Sequence, residues 1–193
     1  MSSNFQHEAK EKYLLVNIRP CLCNRELAIN PINNGRKFRI FPFRQNGSQV
    51  QQYAQKFISD DGKQNGLYWK SSQDQPESPL GPLAAYASAE GYSDKTKASQ
   101  PFHGYFYRIL TKQGDQAQEG ARDYLVDGNM TGGFAILAYP AEYRNSGLMS
   151  FFINQEGTVL EKDLGDKTAD VAKAIVAFNP DGTWAPVGSL AQN

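Results

Sequence analysis

Residues 101–114, PFHGYFYRILTKQG, and 121–165, ARDYLVDGNMTGGFAILAYPAEYRNSGLMSFFINQEGTVLEKDLG, decide the fold. Aromatic and β-branched runs are cut by turns rich in Gly, Asn and Asp, the pattern of a compact antiparallel sheet. The spacing predicts strands over Tyr105–Leu110, Tyr124–Val126, Phe134–Ala138, Leu148–Ile153 and Thr158–Lys162. Asp127-Gly128-Asn129 turns the chain after the second, Gly132-Gly133 leads into the third, and Pro140 stops it. Asn154-Gln155-Glu156-Gly157 closes a hairpin with Gly at the left-handed position. In that hairpin Met149, Phe151 and Ile153 share one face, with Val159 and Glu161 across from them.

Helices are expected on both sides of this run. Ser48-Gln49-Val50-Gln51 has the form of a capping box. Val50, Tyr53, Ala54, Phe57 and Ile58 then recur with the helical period, so a helix is predicted over 49–60, ended by Asp60-Asp61-Gly62. Gly66-Leu67-Tyr68-Trp69 is a short extended piece, followed by the Pro-rich loop SSQDQPESPLGP. Pro82 opens a second helix over 82–90, with Leu83, Ala84, Tyr86 and Ala87 as its packing side. A last helix is predicted over 168–178, with Thr168 as N-cap and Asp170 in the first turn. Its buried stripe is Val171, Ala174, Ile175 and Phe178, and Trp184 pins the tail. The fold class expected is α+β: an antiparallel sheet of four to five strands over 104–163, packed with helices before and after it.

A chain of 193 residues suits one domain and can bury roughly 70% of its unfolded surface. Aromatics make up 12% of it, so the core leans on Phe and Tyr. A net charge of zero gives no general pull toward nucleic acid or an anionic membrane. That zero is a cancellation. Residues 1–46 hold eight Lys/Arg against three Glu, and residues 47–193 hold twelve against seventeen acids. We therefore divide the chain into an atypical basic segment at 1–46, a globular domain at 47–188 and a tail at 189–193. The basic segment contains Lys37-Phe38-Arg39-Ile40-Phe41, which alternates like a strand, and Pro42 confines it to an edge or an end. It reads as peripheral or poorly ordered. No apolar run reaches the roughly 18 residues needed to span a bilayer, and the first twenty residues lack the apolar core of a signal peptide. Cys21 and Cys23 are the only cysteines, an i,i+2 pair that closes a disulfide poorly. With no second pair or nearby His they read as free thiols rather than a zinc site.

Candidate chemistry is sparse. Of the two histidines, His103 precedes a strand and is the candidate general base; Glu142, between Pro140 and Tyr143, is the other catalytic candidate and the polar residue nearest the aromatic patch. A turn histidine bonded to backbone is the plainer reading. Carboxylate pairs suited to glycoside hydrolysis are conceivable, but most acids here sit in turns or on strand faces. Asp163 and Asp166, with Asp170, are calcium candidates, as are Asp123 and Asp127, although neither set matches a calcium-loop motif. Gly128, Gly132 and Gly133 lack the Lys-Ser/Thr ending of a phosphate loop and read as turn glycines. No cofactor motif is present. Trp69, Tyr105, Tyr107, Tyr139 and Tyr143, with Glu142, form a candidate aromatic binding surface for a glycan or peptide, to be weighed against plain core packing.

From about Gln49 to Pro186 the chain resembles the bacterial family named domain of unknown function 2950. The resemblance is carried by Tyr53-Ala54-Gln55-Lys56-Phe57, Gly66-Leu67-Tyr68-Trp69, Pro76–Leu83, HGYFYRILTKQG, MTGGFAILAYPAEY, SGLMSFFINQEGTVLEKDLG and FNPDGTWAPV. It implies a bacterial, usually exported protein of no established activity, so no catalytic residue is carried over. The layout also looks like the globular part of type IV pilins, a likeness of architecture alone. Family members usually begin with an export signal. Residues 1–46 depart from that, as a changed reading frame, a truncated start or a divergent N-terminus would produce. The reading that follows is a non-enzymatic, exported binding or assembly module of the cell envelope, periplasmic or extracellular. Its partner would be another envelope protein, a peptide or a glycan, with no nucleic acid and no membrane span. The alternative is a hydrolase using His103 and nearby carboxylates.

Overall fold

A computed structural model of the chain describes residues 43–44, 50–57, 59–63, 66, 101 and 104–187. In chain order its elements are β1 (Phe43–Arg44), β2 (Gln51–Gln52), β3 (Tyr105–Leu110), β4 (Lys112–Gln113), β5 (Arg122–Asp123), β6 (Leu125–Val126), β7 (Asn129–Met130), β8 (Ala135–Pro140), β9 (Met149–Asn154), β10 (Val159–Asp163), α1 (Thr168–Ala174) and β11 (Ala185–Pro186). Five strands form the main sheet in the order β11-β10-β9-β8-β3, every neighbour antiparallel. The remaining strands pair two by two, β1 with β2, β4 with β5 and β6 with β7.

The register separates the two faces of the main sheet. Val159 lies opposite Ile153 and Glu161 opposite Phe151, so the expected hairpin face is present. Ile136 and Ala138, then Ile109 and Tyr107, continue that face across β8 and β3. Phe57 meets it at the Tyr107 ring, 6.5 Å away. The opposite face carries Phe152, Leu137 and Arg108. Phe178 and Trp184 close over it, their ring centroids 5.2 and 4.1 Å from that of Phe152. Phe134, Ile136, Leu137, Phe151, Phe152 and Ile153 are all buried. Burial of each such side chain stabilises the fold by about 1.5–3 kcal/mol.

Helical content is lower than expected, and among the described residues the fold is mainly β. In place of the helix over 49–60 the chain forms β2 and then bends through residues 55–57. The cause is long-range bonding that overrides a helical period. Tyr53 N–H donates to the Met130 carbonyl at 2.9 Å, Met130 N–H to Gln52 Oε1 at 3.2 Å, and Gln55 Nε2 to the Gly128 carbonyl at 2.8 Å. Val50, assigned to the apolar stripe, is 41% exposed. The helix over 82–90 lies outside the described residues, as do Cys21 and Cys23.

The last helix ends at Ala174, not Phe178, and its N-cap is Lys167 rather than Thr168. Thr168 and Ala172 face inward, while Val171 and Ala174 are exposed. Two long-range requirements shorten it. Arg108 Nη1 donates to the carbonyls of Ala172, Lys173 and Ile175, occupying groups that every helix C-terminus leaves open. Phe178 then pairs with backbone beside β4: its N–H donates to the Lys112 carbonyl at 2.9 Å, and its carbonyl accepts from Gly114 N–H at 2.9 Å. A chain that was still helical at 178 could not make that bridge.

Two other boundaries differ for local reasons. Pro140 belongs to β8 instead of stopping before it. Its ring is tolerated because the β8–β9 ladder has ended at Ala138↔Phe151, so no ladder N–H is missed. The fifth strand of the sheet is β11, beyond the expected 104–163 span, and its two residues include a proline that hides it from pattern reading. Among the described residues no helix is long and apolar enough to cross a membrane.

Candidate functional site

Two connections meet at one end of the sheet, the β8–β9 turn and the segment between β10 and α1. The first is built from short polar residues that bond to their own backbone. The Glu142 carbonyl accepts from Asn145 N–H at 3.1 Å and Ser146 N–H at 2.8 Å. Ser146 Oγ accepts from Glu142 N–H at 3.0 Å, and Asn145 Nδ2 donates to Glu142 Oε2 at 2.6 Å. Arg144 sits at φ 67°, a left-handed conformation uncommon for a side-chain-bearing residue. Its N–H is engaged by the Gly147 carbonyl at 2.8 Å.

This turn is fastened to the sheet by close approach. A Cβ on Gly147 would overlap the hydroxyl of Tyr105, a fully buried residue whose hydroxyl donates to the Met149 carbonyl at 3.2 Å. Gly104, at φ 84°, accepts from Ala141 N–H at 2.8 Å, and a Cβ there would lie 2.9 Å from Ser146 Cβ. The glycines at 104 and 147 thus allow the turn to lie flat on β3.

On this base stands a polar-aromatic cluster. Tyr143 Oη donates to Asp163 Oδ2 at 3.0 Å, and Asp163 Oδ1 accepts from Gly165 N–H at 2.8 Å. The Arg144 guanidinium lies 5.4 Å from the Tyr143 ring centroid, a cation–π contact, with Asp166 Oδ1 3.8 Å from its Nη2. The Tyr143 hydroxyl, and secondarily the Asp166 charge, raise the Arg144 pKa above its ordinary value. The cluster unites residues that sequence reasoning assigned to separate roles, Tyr143 from the binding surface and Asp163 and Asp166 from the calcium candidates, while Glu142 stays in the turn below, bonded to Asn145. Arg144 was missed. Its only sequence signal is its place in the turn string Tyr-Arg-Asn-Ser-Gly.

The other candidates are placed elsewhere. Tyr105 and Tyr139 are buried, and Tyr107 is half-buried beside Phe57. Burial raises the pKa of the Tyr139 hydroxyl, against the pull of the Arg108 charge. Trp69 and His103 lie outside the described residues. Asp123 sits on β5 opposite Lys112, Asp127 in the β6–β7 turn at φ 49°, and Asp170 in the first turn of α1. Among the described residues no three His, Cys, Asp or Glu side chains gather as metal ligands. Gly132 and Gly133 act by close approach as well as by turning: a Cβ on Gly132 would lie 2.8 Å from the Asp123 carbonyl, and one on Gly133 2.7 Å from Gln155 Oε1 and 2.9 Å from the Tyr124 ring.

A family model described as "Protein of unknown function (DUF2950)" matches residues 39–187. No curated protein matches. No solved structure matches, and the pilin-like layout is not shown.

Proposed function

We propose that this chain, which belongs to the DUF2950 family, is a non-catalytic binding module that uses the Tyr143–Arg144 turn as its contact surface. One observation carries this reading. An exposed guanidinium is stacked on an aromatic ring, on a turn fixed both by its own hydrogen bonds and by Gly147 against buried Tyr105. Such a surface meets a partner without first being ordered, which lowers the entropic cost of association. The nearby carboxylates support a structural role for themselves, because Glu142 and both oxygens of Asp163 are taken up by donors within the turns. An exported, envelope-facing location is part of the proposal and rests on the family resemblance.

The test is co-sedimentation of the purified chain with isolated bacterial envelope material. The wild type is expected to pellet with it, and a Tyr143→Ala/Arg144→Ala double variant of unchanged melting temperature is expected to stay in solution. Equal pelleting of the two, or none by the wild type, overturns the proposal. Fractionation of the producing cells checks the location separately.

A further inference from the structure

We draw no further inference here: the strongest candidate, the outer strand β6 with exposed Leu125 and Val126 between Asp123 and Asp127, is a short apolar edge, and nothing in the structure shows what covers it.

Discussion

The main sheet and the excursion between β3 and β8 share one apolar core but differ in how much side-chain hydrogen bonding supplements it. In the sheet, adhesion is apolar: Phe151, Phe152, Ile153, Ile136 and Leu137 are buried, with Trp184 stacked on Phe152 and Phe178 meeting it edge-on. Residues 111–134 also bury Tyr124, Met130 and Phe134, and add buried side-chain amides to that apolar contact. Gln113 Oε1 accepts from Tyr124 Oη at 2.9 Å, and its Nε2 donates to the Gln118 and Gly120 carbonyls at 2.8 and 2.7 Å. Gln52 serves the other side, donating to Asn129 Oδ1 at 3.0 Å and accepting from Met130 N–H. Gln155 Oε1 accepts from Phe134 N–H at 3.1 Å, where the excursion rejoins the sheet. Apolar contacts are non-directional and degrade gradually. An amide network fails at once when one member leaves its partners unsatisfied.

The largest effect should come from the sheet. Phe152→Ala removes the ring that both Phe178 and Trp184 cover, and is expected to cost about 3–5 kcal/mol. Phe152→Leu, which keeps most of the volume, should cost less than about 1.5 kcal/mol. Urea titration followed by Trp fluorescence measures both. Similar losses for the two would mean that the site is less tightly packed than the ring distances imply.

Next in size is the excursion. Gln113→Ala abandons the Tyr124 hydroxyl and two carbonyls in a buried site, at about 1–3 kcal/mol. The distinctive readout is location. Amide exchange should accelerate across 111–134 while β8 and β9 keep their protection. Uniform acceleration would erase the distinction between the two regions.

These regions also differ in how far the sequence reveals them. Strands β3, β9 and β10 were legible because Tyr105–Leu110 and the Phe151–Ile153 run are aromatic and β-branched and are bounded by Gly turns. The excursion was largely illegible. Gln113 and Gln52 look like surface residues until the β4–β5 hairpin brings Tyr124 beside the first and a contact 78 residues away brings Met130 beside the second. Val50, Tyr53, Ala54 and Phe57 have a true helical period, yet bonds to the β6–β7 hairpin fix that segment differently. The candidate site was half legible: Tyr143, Glu142, Asp163 and Asp166 were singled out, but their meeting depends on two turns that only the folded sheet brings together. Arg108 gave no signal, because its partners are helix carbonyls more than sixty residues away.

Alkaline pH should act on the excursion through Tyr124. Burial pushes its hydroxyl far above the usual tyrosine range, with the Arg122 charge pulling against it. The folded state therefore keeps a proton that the unfolded chain releases above about pH 10. The stability involved is fully present below that pH and falls as pH rises further, by about 1.4 kcal/mol per pH unit for this group. Tyr124→Phe lacks the titrating group, so its stability should fall less steeply over the same range. Parallel slopes for the two chains in denaturation series from pH 9 to 11 would remove Tyr124 from the account.

The smallest expected effect is the most discriminating. Leu125 and Val126 are the excursion's exposed apolar side chains, Val126 at 50% exposure. They stand outside the region's buried apolar set of Tyr124, Met130 and Phe134. Val126→Thr therefore keeps the β-branched shape on the strand, loses no buried contact, and should change stability by no more than about 0.5 kcal/mol. Gln113→Ala, a polar residue by composition, should then cost several times more than the loss of a valine methyl. The same pair of changes, read by thermal unfolding in one buffer, sets hydrophobicity directly against hydrogen-bond satisfaction. A Val126→Thr loss as large as that of Gln113→Ala would show that β6 is covered in solution.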